Sequence, residues 1–297
     1  MSGIELHSGG GESRVRSLLR LLDVEQRAPA LFEGARKQGG VGRIYGGEVV
    51  AQALAAACKT VPADRAVHSL HAYFLRGGDE RCASLYQVEA DFDGRSFSNR
   101  RVIATQNDEV ILNLAASFQV AEPGHHHQST MPDVDVPETL SDHQEVIERL
   151  KKHAKEPNAV EFALRRPWPM EMRPVRPKNT TGDRGSAGSI TYWFRLAAPI
   201  DAPQWMHRCI LAFVSDMGVL TSSGLSHKVE DLQSASIDHS IWFHADIDTC
   251  EWMLFHITSP WSGNARGLGI GHIYARDGRL LATVAQEGLI RDRAFNR

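Results

Sequence analysis

At 297 residues the chain is long enough for about two ordinary domains, and its 42% hydrophobic and 23% charged residues supply a sizeable core with no compositional sign of wholesale disorder. A net charge of -3 excludes nucleic-acid binding by broad electrostatic attraction. It leaves room for a small polyanion held by a local basic patch. Arg76, Arg95, Arg100, Arg101 and Arg266 are the candidates for that patch, against the plainer alternative of solvated surface arginines. The four cysteines, Cys58, Cys82, Cys209 and Cys250, form no C-x-x-C pair and read as reduced, mostly buried thiols rather than a disulfide framework or a zinc site. No apolar run approaches the ~18 residues that span a bilayer. The opening MSGIELHSGGGESR has no apolar signal core, and the closing Phe295-Asn296-Arg297 is not a peroxisomal address, so a cytoplasmic location is expected.

Along the chain, residues 1–12 are rich in Gly and Ser and read as mobile, and Leu18, Leu19, Leu21 and Leu22 mark a short amphipathic helix. IYGGEVVAQALAAACKTVP, from residue 44, is an almost uncharged helix, apolar nearly all round and stopped by Pro62; such a helix must be buried on most faces. Four strands are expected next, over 68–75, 84–91, 97–105 and 110–119, with hairpin turns at Asp93-Gly94 and Asn107-Asp108. Residues 121–160 then read as a connector, with the run His125, His126, His127, several prolines, and a charged helix over 141–155 capped by Ser141. The histidines lie in a Pro-flanked stretch without acids or cysteines at ligand spacing, which makes a metal site there the weaker reading.

The second half repeats the order: a strand over 192–196, a mostly apolar helix over 205–220, then strands over 235–244, 251–258, 266–275 and 280–290, with Asp277-Gly278 as the last turn. Placing Asp108 on Asp277 also puts Ser117 on Gln286, so the chain reads as a duplication. The expected division is an N-terminal unit over 1–120, a linker over 121–160 and a C-terminal unit over 161–297. A helix buried on all sides and followed by an antiparallel sheet has one simple solution: the sheet curls around the helix. The expected fold is therefore α+β, a double hotdog of two tandem units, with sheets joined edge to edge and remaining edges available for a homo-oligomer.

No G-x-S-x-G elbow, H-E-x-x-H or P-loop occurs, and GLGIGH from Gly267 has the wrong glycine spacing for a dinucleotide, reading instead as a close backbone approach or bulge. No metal or redox cofactor is indicated. Three polar residues interrupt apolar context. Asp216 is flanked by Val214, Met217 and Val219, where a carboxylate is costly unless paired or working; a solvent-facing residue near a helix end is the alternative. Ser236 is uninformative alone. Gln286 stands in a terminal strand, where an exposed edge position is the plain expectation. Asp238 and His239 are adjacent on a strand, so they point to opposite faces and form no dyad.

Five blocks in order carry a family likeness: IYGGEVVAQAL (44–54), VHSLHAYFLRGGD (67–79), DGRSFSNRRVIATQ (93–106), ASIDHSIWFH (235–244) and QEG (286–288). With them the chain resembles acyl-CoA thioesterase II, the TesB-type double hotdog thioesterases, from about residue 16 onward. The resemblance implies an acyl-CoA substrate and a catalytic set of Asp216, Ser236 and Gln286; His68 and His71 lie in a matched block and are expected to be structural or to support the catalytic residues from behind. It implies hydrolysis by water, with Asp216 as general base and Gln286 and Ser236 aligning the water. Gly47, at the start of the first helix, is the expected oxyanion donor. Ser117 standing for Gln286 and Gln52 standing for Asp216 would leave the first half without a site of its own. The competing readings are a hotdog enoyl-CoA hydratase and a non-catalytic acyl-CoA binding protein.

Overall fold

The segment GGEVVAQALAAAC carries one acid and no base, and it has no face to offer water. In the computed structural model, which describes residues 10–36, 40, 42–142, 145, 168–178, 189–224 and 232–292, it forms a helix buried along nearly its whole length. In chain order the first half comprises α1 (Gly10–Leu22), β1 (Glu25–Ala28), β2 (Leu31–Gly34), that central helix α2 (Gly46–Cys58), β3 (Arg65–Phe74), β4 (Ser84–Asp93), β5 (Phe97–Gln106) and β6 (Glu109–Val120). The second half comprises β7 (Met170–Pro174), β8 (Ile190–Leu196), α3 (Gln204–Ser215), α4 (Val219–Gly224), β9 (Leu232–Ser236), β10 (Asp238–Phe243), β11 (Met253–Gly263), β12 (Arg266–Ala275) and β13 (Leu280–Asp292). No described helix is long and apolar enough to cross a membrane.

The strands form one antiparallel sheet in the order β1-β2-β4-β5-β6-β3-β10-β13-β12-β11-β8-β7, with β9 also on β13. The halves join where β3 pairs with β10, His71 opposite Ser240. Alternation decides which side chains enter: Val102 and Ala104 of β5, Leu112, Leu114 and Ala116 of β6, and Ala282 and Val284 of β13 are fully or almost fully buried against the helices. The architecture is α+β, a double hotdog. Asn107 and Asp108 adopt φ of 50° and 64°, as a two-residue hairpin between twisted strands requires.

Several expectations change. Residues 10–12 form the first turn of α1, which buries Val15, Leu18 and Leu22, and the rest of the stretch expected to be mobile, 1–9, lies outside the described residues. The charged helix over 141–155 lies outside the described residues except at Ser141, Asp142 and Glu145. Of the cysteines, all free, only Cys209 is fully buried. The helix over 205–220 is broken: α3 ends at Ser215, Asp216 caps it, and Gly218 turns the chain at φ 88° before α4 begins. Gly218 is the stop signal in the sequence, since the left-handed turn after a helix favours glycine. Gln52, expected to stand for Asp216, instead lies in the middle of α2 with every polar atom used: its amide donates to the Leu21 and Ala35 carbonyls, and its oxygen accepts from the Tyr86 hydroxyl at 2.6 Å. The residue that caps α2 as Asp216 caps α3 is Lys59.

Candidate active site

The C-terminal end of α3 meets the N-terminal start of α2, where α2 carries the pair Gly46-Gly47. A Cβ on Gly47 would lie 2.3 Å from the Phe213 carbonyl oxygen, and one on Gly46 would lie 2.9 Å from the Asp216 carboxylate. Only glycine lets the two helix ends approach this closely. Asp216 uses the space: its Oδ2 accepts the Gly47 amide at 2.9 Å. This corrects the expectation for Gly47. Its amide faces the carboxylate rather than a substrate carbonyl, because an anion is the natural occupant of a helix start.

Gln286 lies on β13, in the interior of the sheet, and is fully buried, not at an exposed edge. Its Nε2 donates to Asp216 Oδ1 at 2.6 Å and to Ser236 Oγ at 3.0 Å. The sheet lies close here because the cross-strand neighbour of Gln286 is Gly269, where a Cβ would meet the Val219 carbonyl at 2.4 Å. Gly267 and Gly269 of GLGIGH thus admit α4 onto the sheet, the close backbone approach expected. Ser236 reaches Gln286 through a shift of register. Ser236 pairs with Gly288 and Ser240 with Ala285, so four steps on one strand oppose three on the other. This bulge at Ile237 turns both Ser236 and His239 inward; in a regular strand two residues three apart would face opposite sides.

The structure therefore brings Asp216, Ser236, Gln286 and Gly47 into one hydrogen-bonded cluster. Burial raises the Asp216 pKa to about 6, against the opposing pull of the Gln286 and Gly47 hydrogen bonds. The carboxylate keeps a partial opening onto a cleft of ≈ 370 Å³, lined on its apolar side by Ile44, Val49, Phe74 and Ile111 and on its polar side by Arg43, Arg76, Ser234 and Ser236. Arg43, Phe74 and Ser234 had no distinguishing signal in the sequence. Behind the cluster, Tyr45 packs edge-on against Phe213 and Trp168 at ring separations of 5.1 and 5.4 Å.

The other candidates fall elsewhere. His68 bonds Ser117 at 2.8 Å and His71 bonds Ser240 at 3.1 Å, and neither lines the cleft. Ser117 does not stand for Gln286. The inward pair Gly269 and Gln286 corresponds to Arg100 and Ala116, and a slip of one residue exchanges faces. Of the five arginines proposed for a basic patch, only Arg76 lines the cleft. Arg100 is buried against Thr60 and Asp93, Arg101 pairs with Glu89 and Asp91, Arg266 pairs with Glu287, and Arg95 is exposed. His125, His126 and His127 are exposed in the connector, and no metal-binding group is present among the described residues.

Asp238 and His239 diverge as expected: Asp238 accepts the Glu287 amide at 2.6 Å, while His239 is fully buried and bonds Ser215 at 2.8 Å. Ser215 donates its own proton to the Ala212 carbonyl, so the His239 Nε2–H is the donor in that contact. Burial lowers the His239 pKa to about 3. Its folded value lies below its ordinary 6.5, so its neutral form contributes stability that is complete above pH 6.5 and lost as pH falls towards 3. Asp216, with a raised folded pKa, acts with the opposite sign between about pH 6 and 4. The wild type and His239→Leu share that second contribution, so comparing them isolates the histidine. Urea midpoints at pH 7 and 4.5 should show the wild type losing about 2–3 kcal/mol more than His239→Leu on acidification. Equal losses would remove His239 from the account.

Fold and cleft together define a double hotdog protein with a carboxylate-centred site between the start of one central helix and the end of the other. Family models described as the acyl-CoA thioesterase N-terminal and C-terminal domains match residues 35–119 and 139–290. The chain is 37% identical over 281 residues to acyl-CoA thioesterase 2 of Haemophilus influenzae, covering 93% of this chain and 98% of that one. It is 38% identical to human acyl-coenzyme A thioesterase 8, covering 95% and 91%. The solved structure of an acyl-CoA thioesterase II, TesB2, from Mycobacterium marinum superposes with a TM-score of 0.77 at 34% identity, covering 93% of this chain and 97% of that one. The chain belongs to the acyl-CoA thioesterase family.

Proposed function

We propose that this protein hydrolyses acyl-CoA thioesters to free acid and coenzyme A by direct attack of water, with Asp216 as general base. The observation that carries this reading is the fixed carboxylate: both Asp216 oxygens hold an N–H donor, and the group still borders the cleft. Each carboxylate oxygen has a second acceptor site, so a water in the cleft can donate to it. Ser236 accepts from Gln286, which leaves its own hydroxyl proton to hold the same water. A base with a pKa of about 6 is largely unprotonated at neutral pH yet retains useful basicity. The positive end of α2, whose Gly47 amide is held by Asp216, contributes the field of its helix dipole to the site rather than an amide aimed at the developing oxyanion.

In this reading the working site belongs to the C-terminal unit, 161–297, completed by the start of α2. The first half carries Ala116 and Lys59 at the corresponding positions, which supports one site per chain. Four free thiols support a reducing compartment such as the cytoplasm. Self-association through sheet edges is part of the proposal; the strand order ends at β1 and β7. The hydratase reading loses ground because Asp238 and His239 do not converge.

The test is thiol release from a panel of acyl-CoAs, short to long, followed with a thiol-reactive dye. Release with a chain-length preference is expected. No release from any member, with acyl-CoA still raising the melting temperature, would replace this reading with that of a non-catalytic binding protein.

A further inference from the structure

We infer that Arg43 and Arg76 form an anion subsite at the outer end of the cleft that holds the phosphates of coenzyme A. The inference rests on the proposed acyl-CoA substrate and extends it to a specific place. The cleft is built from two adjoining stretches of chain, 43–46 leading into α2 and 74–78 leaving β3. Contacts order them: Gly46 lies against Phe74, Ile44 donates its amide to the Gly78 carbonyl at 2.9 Å, and Gly77 lies against the Arg43 side chain. Asp216 closes the Gly46 end of this row. At the other end, Arg43 stands three residue steps from Gly46 and Arg76 two from Phe74, about 10 Å and about 7 Å of backbone before the side chains add their own length.

The cleft is thus polarised, with a buried carboxylate at one end, an apolar middle, and two exposed guanidinium groups at the mouth. Among the described residues, Asp216 is the only acidic one lining it. A thioester of coenzyme A has the matching order: the reacting carbonyl, a neutral pantetheine arm, then phosphates. Planar guanidinium groups suit phosphate oxygens by forked hydrogen bonding. Arg76 is engaged with Glu109 at 2.9 Å and with the Val110 carbonyl, but both partners of the ion pair are more than half exposed (55% and 64%). An ion pair so exposed is weak and is readily exchanged for a phosphate of greater charge.

Binding of coenzyme A, dephospho-coenzyme A and pantetheine should be measured by calorimetry on the wild type, on Arg43→Ala/Arg76→Ala, on the corresponding double lysine variant, and on Glu109→Gln. The wild type should bind coenzyme A at least tenfold more tightly than pantetheine. The double alanine variant should lose most of that ratio, and the lysine variant should recover part of it, which a merely unfolded protein would not do. Glu109→Gln should bind coenzyme A more tightly, since it frees Arg76. Dephospho-coenzyme A assigns the contact: affinity close to that of coenzyme A places the diphosphate in the subsite, and affinity close to that of pantetheine places the 3′-phosphate there. An undiminished ratio in the double alanine variant, or no preference for coenzyme A in the wild type, would overturn the inference. Binding by this pattern without thiol release would instead strike the hydrolytic reading and leave the subsite standing.

Discussion

Asp216→Asn should lower kcat for acyl-CoA hydrolysis by about 10²–10⁴-fold, the range that a positioned general base supplies. Asparagine keeps the size of the side chain and cannot take a proton from water. Its oxygen can accept one of the two N–H donors from Gly47 and Gln286, while its own amide must face the other. A small local shift follows, with the fold retained. KM should change little, because the role assigned to Asp216 is contact with the water. The pH profile adds a signature that a structural defect would not produce. A base must be unprotonated to act, and Asp216 is lifted to about 6, so wild-type kcat/KM should rise through about pH 6 and then level. That limb should be absent in the variant. Activity within tenfold of wild type in a folded Asp216→Asn protein would refute the assignment.

Gln286→Met should cost about 10²-fold in kcat, the scale on which a reacting group displaced by about 1 Å loses rate. Methionine approximates the volume of glutamine, so the core stays filled and the change isolates two hydrogen bonds. Ser236 loses the donor that sets its hydroxyl, and Asp216 loses one of the two interactions that hold its pKa down against burial. The acidic limb should therefore move upward from about pH 6, in contrast to its disappearance in Asp216→Asn. A kcat and a limb both unchanged in Gln286→Met would show that the glutamine only fills space.

The regular elements were legible because their patterns are local. β4, β5 and β6 follow from alternation and β-branched or aromatic content, with ends within two residues of those observed. α2 was legible because a helix without a polar face has only one place to go. β1, β2 and β7 were not expected; runs of four or five residues are too short to show a period. The break at Gly218 was written in the chain but outweighed by the apolar run around it.

The candidate site divides in the same way. Asp216 stood out as a carboxylate in apolar context, whereas Ser236 and Gln286 drew their weight from family resemblance alone. Their chemistry depends on facts with no local signature: the interior position of β13, the bulge at Ile237, and the helix ends held together by Gly46 and Gly47. The mistaken match of Ser117 to Gln286 shows how narrow the margin is, since one residue of register exchanges the buried face for the exposed one. Composition and periodicity by themselves determined the two buried helices, the antiparallel strands and the duplication, because burial and backbone preference act over a few neighbouring residues. Tertiary structure alone decided that the Gly47 amide serves the carboxylate, that Gln286 joins Asp216 to Ser236, and that the carboxyl pKa rises, because each depends on groups far apart in the chain meeting where water is scarce.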